Sequence, residues 1–399
     1  MTDPLGQSQV LPYLGHLGTY GYDITILSVE KKDKLEKEGK VVQEFVNQIG
    51  LKWEKLIFHD SLPVVSKAYD RYVLFRAAKR LQRKERFDLI HCRSHIAAEI
   101  GMVFKKKYHV PFIFDMRAFW PDEKKESGHW PQTNPIYRRV YKYYKKLERK
   151  LLLDADAVVV LTHAAKKEIS SWDIGPGING KVTVIPCCAD LNLFSFSNID
   201  SALKGQLIDK FNLKDKAPVI CYLGSIGDVY GVNEMLLFFN ELKKHSKNAK
   251  FLFFSKEPAN LVMDRLSQFV NIQPSNIAVS FVPRKDLPTY LSLCDFSLFF
   301  YKPTYSRIAC SPTKFAELIS LGLPIVCNEV GDLNSNYLAG MPIIVIKDLQ
   351  PDLIKAAVGN ISFFQRTDNE MTLSSFAKRE FDLMVGVERY KKIYRTLHI

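Results

Sequence analysis

The stretch that most restricts the fold of this chain is Tyr305 to Asn328, YSRIACSPTKFAELISLGLPIVCN. A polar loop ending in Ser311-Pro312-Thr313 leads into an amphipathic segment, Lys314 to Leu321, which Gly322 stops before the apolar run Pro324 to Cys327. The order reads as loop, helix start, helix, glycine stop and buried strand, with Pro312 tolerated where a helix begins. Such a start turns unpaired N–H groups and partial positive charge outward, and Lys314 in the first turn adds a full charge. A phosphate is expected there. One turn on, Glu317 shares a side with Ser311 or Lys314, where its carboxylate could accept hydrogen bonds from sugar hydroxyls. A phosphate site beside a hydroxyl-binding carboxylate suggests a nucleotide sugar; a plain capped surface helix is the alternative.

A chain of 399 residues has room for about two to three domains, each with a full core. No run of about 18 apolar residues occurs and the N-terminus is polar, so neither a membrane span nor a signal peptide is expected, and the chain is placed in the cytosol. Seven cysteines without a Cys-x-x-Cys spacing, most of them in apolar runs, read as reduced core residues. No clustered carboxylate pair marks a metal site. The net charge of +13 divides into +9 over residues 1–195 and +4 over the remainder, with basic clusters at Lys79–Arg86, Lys105–Lys107 and Arg138–Lys150. Three readings compete: a solvated face, nucleic acid or an anionic membrane. No aromatic-bearing nucleic-acid motif accompanies the clusters. An anionic bilayer fits better, because Tyr69, Tyr72, Val73 and Phe75 share a helical stretch with Arg71, Arg76, Lys79 and Arg80; the same helix could pack into its domain.

Along the chain, Asp3-Pro4-Leu5-Gly6 reads as a turn, followed by a helical pattern to about Tyr20 and strands at Asp23–Val29 and, as an edge, Trp53–Phe58. Phe87 to Cys92 is a buried strand with Arg93, Ser94 and His95 at its end, where open α/β sheets gather ligands. Arg93 and His95 are therefore candidates. Val110–Phe114 is the next strand, and Asp115, Arg117, Asp122 and Glu123 follow it amid Phe119 and Trp120. That density of charge marks either a functional loop or an Asp115–Arg117 ion pair that shapes it. After strands at Ala155–Leu161 and Lys181–Ile185, residues 190 to 216 resemble a linker. The second half restarts a Rossmann pattern: strand Val219–Leu223, the turn Gly224-Ser225-Ile226-Gly227, then Tyr230-Gly231 and a helix. Glycines let backbone N–H groups approach a pyrophosphate. Strands Lys250–Phe254 and Ile277–Val282 end in basic residues, Lys256 and Arg284, which are further donor-side candidates.

These motifs together resemble the retaining glycosyltransferases of the large nucleotide-sugar family 4, of which many carry Ser-Pro-x-Lys-x-x-Glu, a small-residue turn and Pro-Ile/Val-Val. Here the residues are Ser311, Pro312, Thr313, Lys314 and Glu317. Further likeness lies in DPLGQSQVLPYL with Gly6 and Gln7, in FDMRAFWPDE with Asp115, Arg117 and Glu123, in PCCADLNLF and in LPTYLSLCDFSLFF. The chain departs from the family at Ala118 and Cys188, where glycine is frequent, at Asp228, where many relatives have basic residues in the loop, and at Ala309, the place of a donor-sugar glutamate. Nothing precedes the DPLGQSQVLPYL loop here: the first strand, expected at the centre of the sheet, is absent, so either the chain starts downstream of its natural beginning or the sheet closes differently.

The resemblance implies the GT-B fold: a Rossmann-like acceptor domain over residues 1–195, a Rossmann-like nucleotide-sugar domain over 196–370, and helices at 371–399 crossing back to the first. It further implies a retaining transferase acting from a nucleoside-diphosphate sugar, without cofactor or metal, on a lipid-linked or polysaccharide acceptor at the inner membrane face. Gly224, Ser225, Tyr230, Gly231, Lys256, Arg284 and residues 311–314 with Glu317 would hold the donor. Gly6, Gln7, Arg93, His95, Asp115, Arg117 and Glu123 would face the acceptor, with Asp115, Arg117, Lys314 and Glu317 nearest the chemistry. A silent relative that binds a sugar nucleotide or a partner transferase, or an epimerase of the same fold, is the alternative.

Overall fold

The computed structural model describes residues 1–59, 65–213, 217–361, 364 and 366–397; positions 214–216 of the expected linker and the last two residues of the expected C-terminal helices lie outside them. The named strands all pair in parallel. In the second half they are β7 (Val219–Leu223), β8 (Lys250–Phe254), β9 (Ile277–Ser280), β10 (Phe296–Phe299), β11 (Ile325–Asn328) and β12 (Ile343–Ile346), side by side as β12-β11-β10-β7-β8-β9. Their runs, such as Val219-Ile-Cys-Tyr-Leu223, are apolar on both faces because helices cover both faces of a parallel sheet. The order reverses between β7 and β10, so a crevice opens beyond the carboxyl ends of those two strands. Gly224 follows β7 directly, and the helix Thr313–Ser320 lies between β10 and β11 in the chain.

The first half holds two sheets rather than one. β1 (Thr25–Glu30) pairs only with β2 (Lys52–Ile57), which is thus the edge expected of that stretch, and β3 (Ile90–Arg93), β4 (Phe112–Asp115), β5 (Ala157–Val160) and β6 (Val182–Val184) pair in that order. No strand joins β1 to β3 among the described residues. The segment ahead of β1 is helical: Pro4–Gln9, a break at Val10, then Leu11–Thr19. The turn expected at residues 3–6 is the capped start of the first of these helices. Asp3 Oδ1 accepts from the N–H groups of Leu5 and Gly6 at 2.9 and 3.0 Å, and Pro4 fits the first helical position.

Within the described part of the expected linker lies the helix Ser201–Lys210, capped by Asp200. At the C-terminus, Arg366–Glu380 packs on the second domain, where Phe376, Phe381 and Phe315 form an aromatic row. Leu383–Thr396 then crosses to the first domain, burying Val387, Tyr390 and Ile393 against Tyr13, Leu17 and Ile113. The crossing is pinned to the Pro186–Phe194 segment: Ala189 N–H donates to Phe381 O and Leu383 N–H donates to Ala189 O, both at 2.9 Å. This is the two-domain GT-B architecture with its returning helix.

Candidate functional site

Thr313–Ser320 begins after Pro312, whose extended backbone serves as the N-cap without a side-chain bond. Ser311 is not the cap; its hydroxyl accepts instead from the Cys187 N–H of the first domain at 3.1 Å. Phe315 N–H already donates to Pro312 O at 3.1 Å, which leaves the Thr313 and Lys314 N–H groups at the helix start without an intrahelical acceptor. Lys314, in that turn, folds inward. Its Nζ lies 4.2 Å from the ring centre of Tyr222, 4.8 Å from Tyr230 and 5.5 Å from both Phe299 and Tyr301, with no hydrogen-bond partner among the described residues. Burial pushes the amine down to about 7, against the opposing pull of Cys310 and Glu317. Above the amine is the glycine turn. Gly224 has φ +134°, and a Cβ there would stand 2.8 Å from Lys314 Nζ, so only glycine lets turn and amine meet this closely.

Glu317 is 6% exposed, and its Oε1 takes Arg284 Nη1 at 2.7 Å. Burial raises the carboxyl above its ordinary value despite the arginine. The fold thus brings Gly224, Ser225, Tyr230, Arg284, Lys314 and Glu317 to one place. Tyr222 Oη donates to Ser225 O at 2.6 Å and fixes the turn, and Gly231 N–H donates to Phe300 O at 3.0 Å. Lys256 follows the end of β8, whose Phe254 O accepts from Gly224 N–H at 3.0 Å; its side chain is exposed, with Nζ 5.4 Å from the ring centre of Phe281. Ala309, at the position of the missing glutamate, is embedded in the core of the first domain beside Ile308.

Across the interface, β3 and β4 end in a charged cluster. Asp115 is 1% exposed and accepts from Tyr390 Oη at 3.0 Å, with His91 Nε2 and Arg93 Nη1 each 3.6 Å and Arg117 Nη1 3.8 Å away. Burial would raise its carboxyl, but Arg117, His91 and Arg93 outweigh that and hold it at about 2. Arg117 sits in the left-handed region at φ +61°, and its Nη2 reaches Cys187 Sγ at 3.4 Å. Because Cys187 also donates its N–H to Ser311, one residue separates this cluster from the tip of the Thr313–Ser320 helix.

Glu123 faces Arg307 Nη2 at 3.4 Å, Glu126 accepts the Ser306 N–H at 3.1 Å, and Phe119 stacks on Tyr305 at 5.5 Å. The 115–123 loop and the Tyr305–Glu317 stretch therefore meet, and in this conformation the domains close over the helix tip; a cavity of about 30 Å³ remains beside Ser311 and Pro312. His95 lies inside the first domain instead, fully buried with Nε2 3.0 Å from Glu148 Oε2 and its ring against Phe114 and Trp120. Gly6 is under Met1, and Gln7 points outward to Glu38 at 2.6 Å.

The aromatic box around Lys314 and the roles of His91, Tyr390 and Cys187 escape a reading by motif. The one signal for the box is aromatic residues at the carboxyl ends of the neighbouring strands β7 and β10.

The model "Glycosyltransferase Family 4" matches residues 12–193, and "Glycosyl transferases group 1" matches residues 204–348. An uncharacterized glycosyltransferase, YqgM of Bacillus subtilis, is 23% identical over 219 residues, and the match spans 55% of this chain and 54% of that relative's length. Among solved structures, sucrose-phosphate synthase from Thermosynechococcus elongatus has a TM-score of 0.69 at 14% identity, covering 94% of this chain and 99% of the other. A glycosyltransferase from Rickettsia africae has a TM-score of 0.68 at 14% identity, covering 97% and 93%. Anabaena HepE in complex with UDP-glucose has a TM-score of 0.65 at 13% identity, covering 94% and 100%.

Proposed function

We propose, for a chain that belongs to the family 4 and group 1 glycosyltransferases of the GT-B fold, that it transfers a sugar with retention from a nucleoside-diphosphate sugar to a lipid-linked or polysaccharide acceptor. One observation carries this reading: the Lys314 amine abuts the Gly224 turn at the start of the Thr313–Ser320 helix. A leaving diphosphate at that point meets the N–H groups of the helix start, the flexible glycine backbone and one amine. Neighbouring HepE is named in complex with UDP and UDP-glucose, which supports a uridine or related donor for this fold. Lys314 and Glu317 are both buried by groups of their own domain, Lys314 among the four rings and Glu317 against Arg284, so these side chains must move to meet the donor.

With donor bound, Lys314 leaves its aromatic box for the β-phosphate and regains its proton there, offsetting the charge that develops as the sugar–phosphate bond breaks. Glu317, oriented by Arg284, accepts from sugar hydroxyls. The departing phosphate oxygen takes the proton of the incoming acceptor hydroxyl on the same face, which requires positioning rather than a protein base. The first domain supports a membrane-side acceptor: Arg138, Arg139, Lys142, Lys146, Arg149 and Lys150 are all exposed on the helix Pro135–Asp154, whose only glutamate, Glu148, is buried. An anionic bilayer facing the cytosol fits that face. No helix of the described residues is long and apolar enough to cross a membrane.

The test is incubation with a panel of nucleotide sugars and polyprenyl-phosphate acceptors. Lys314→Ala and Glu317→Ala are each expected to lower turnover by about a hundredfold or more while the protein stays folded. Full activity in either removes the proposal. A protein that binds a sugar nucleotide without transferring it is the second reading, favoured by Ala309, a buried methyl with no hydrogen-bonding group at the place of the donor-sugar glutamate. Donor binding with no product across the acceptor panel would select it.

A further inference from the structure

Three groups in the first domain are poorly paired for their burial. Arg93 and Arg117 share the single carboxylate of Asp115 at 3.6 and 3.8 Å, both beyond hydrogen-bonding range. Asp115 Oδ1 is buried without a hydrogen-bond partner among the described residues. The other polar neighbours among the described residues are His91, the Tyr390 hydroxyl, the Cys187 thiol, and Gln9 O, which accepts from Arg93 Nη1 at 3.4 Å; no second carboxylate is among them. Arg93 loses affinity for its proton through burial first and then through repulsion from Arg117, whereas Asp115 holds the Arg117 proton more tightly than usual despite burial, so Asp115 is committed to Arg117 and Arg93 is the under-compensated charge. A half-buried cluster with two guanidiniums and one carboxylate carries an excess positive charge that costs free energy unless an anion joins it.

We infer that Arg93 and Arg117 form a subsite for a phosphate group carried by the acceptor, separate from the donor diphosphate position at Lys314. The cluster stands at the carboxyl ends of β3 and β4, where ligands of open α/β sheets collect, and Arg117 is one residue from Ser311 at the helix tip. Two guanidinium forks on separate strand ends suit a tetrahedral oxyanion better than a planar carboxylate, which one fork would satisfy. Asp115 Oδ1 then accepts a hydroxyl of the same acceptor. The left-handed backbone at Arg117 is the kind of strain that persists where a side chain must be aimed. The inference rests on the transferase reading only for the word acceptor; the anion site itself does not.

The intact protein is titrated calorimetrically with methyl phosphate and, separately, with UDP. Arg93→Gln is expected to weaken methyl phosphate about tenfold or more and leave UDP unchanged, with Arg93→Lys restoring part of the loss. Lys314→Gln is expected to do the reverse. A folded Arg93→Gln that binds methyl phosphate as the parent does overturns the subsite, as does loss of both ligands in both variants, which would mean one shared anion site. Failure of UDP to bind, with Arg93-dependent phosphate binding intact, supports the subsite and removes the donor reading instead. Should Arg93→Gln not fold, parent crystals soaked in methyl phosphate decide: phosphate between the two guanidiniums supports the subsite, and its absence there overturns it. Tighter Arg93-dependent binding to phosphatidylcholine vesicles carrying dodecyl phosphate than to methyl phosphate marks a lipid-carried group, the opposite order a soluble one, and both support the subsite.

Discussion

Lys314 holds a primary amine in an aromatic box with no hydrogen-bond acceptor among the described residues. The ring faces attract a cation, but burial removes water, and the balance puts the amine at about 7 rather than near its ordinary value. Between about 7 and about 10 the unfolded chain therefore binds a proton that the folded chain does not, so folding stability rises with pH across that window. Lys314→Met fills similar volume without the charge. It is expected to raise stability at pH 7 by roughly 1–3 kcal/mol, to flatten the rise between pH 7 and 9, and to abolish transfer. Denaturant melts at both pH values, paired with product assays, check all three outcomes; a less stable variant would show that the box favours the charged amine. The place of Lys314 in the first turn of a helix was legible after Ser311-Pro312-Thr313, whereas its neighbours were not, because Tyr222, Tyr230, Phe299 and Tyr301 come from other segments of the chain.

Single elements are tied across the domains by polar ends. The helix His163–Ser170 begins with the Thr162 hydroxyl accepting from Ala165 N–H at 3.0 Å. Its two earlier N–H groups, His163 and Ala164, go to Asp332 of the second domain at 2.7 and 2.9 Å. Asp332 thus caps a helix it does not belong to, and its charge sits at the favourable end of the helix dipole. Asp332→Ala is expected to cost about 1 kcal/mol and to speed amide exchange at His163 and Ala164 by several-fold without affecting exchange in β4. Unchanged exchange at those two amides would rule out a closed state held by this cap. Thr162 at the helix start is readable from sequence, since threonine after a buried strand is a common cap; Asp332, 169 residues from His163, is not. The same holds for His95, which follows a strand as site residues do yet pairs with Glu148 inside the domain.

At the scale of the whole molecule, the returning helix Leu383–Thr396 couples the two domains. Gly386 is the point of closest approach, since a Cβ there would stand 2.6 Å from Tyr13 Cε1 and 3.1 Å from Cys188 Sγ. Gly386→Val is expected to lift the helix from the first domain and to split the thermal transition in two, because Tyr390 and Val387 lose their burial. A single transition at the parent temperature in scanning calorimetry would refute this coupling. The apolar runs, the glycine stops and the Pro312–Glu317 segment determined by themselves that the chain would build two parallel α/β halves with a helix starting after Pro312 in the second. Those features depend on residues near one another in the chain. Only the tertiary structure decided that the first half would divide into two sheets, that Lys314 would retract among four rings, and that Arg93, Asp115 and Arg117 would gather one residue from Ser311. Each of these depends on contacts between segments far apart in sequence, and local pattern carries no information about which distant side chain will arrive.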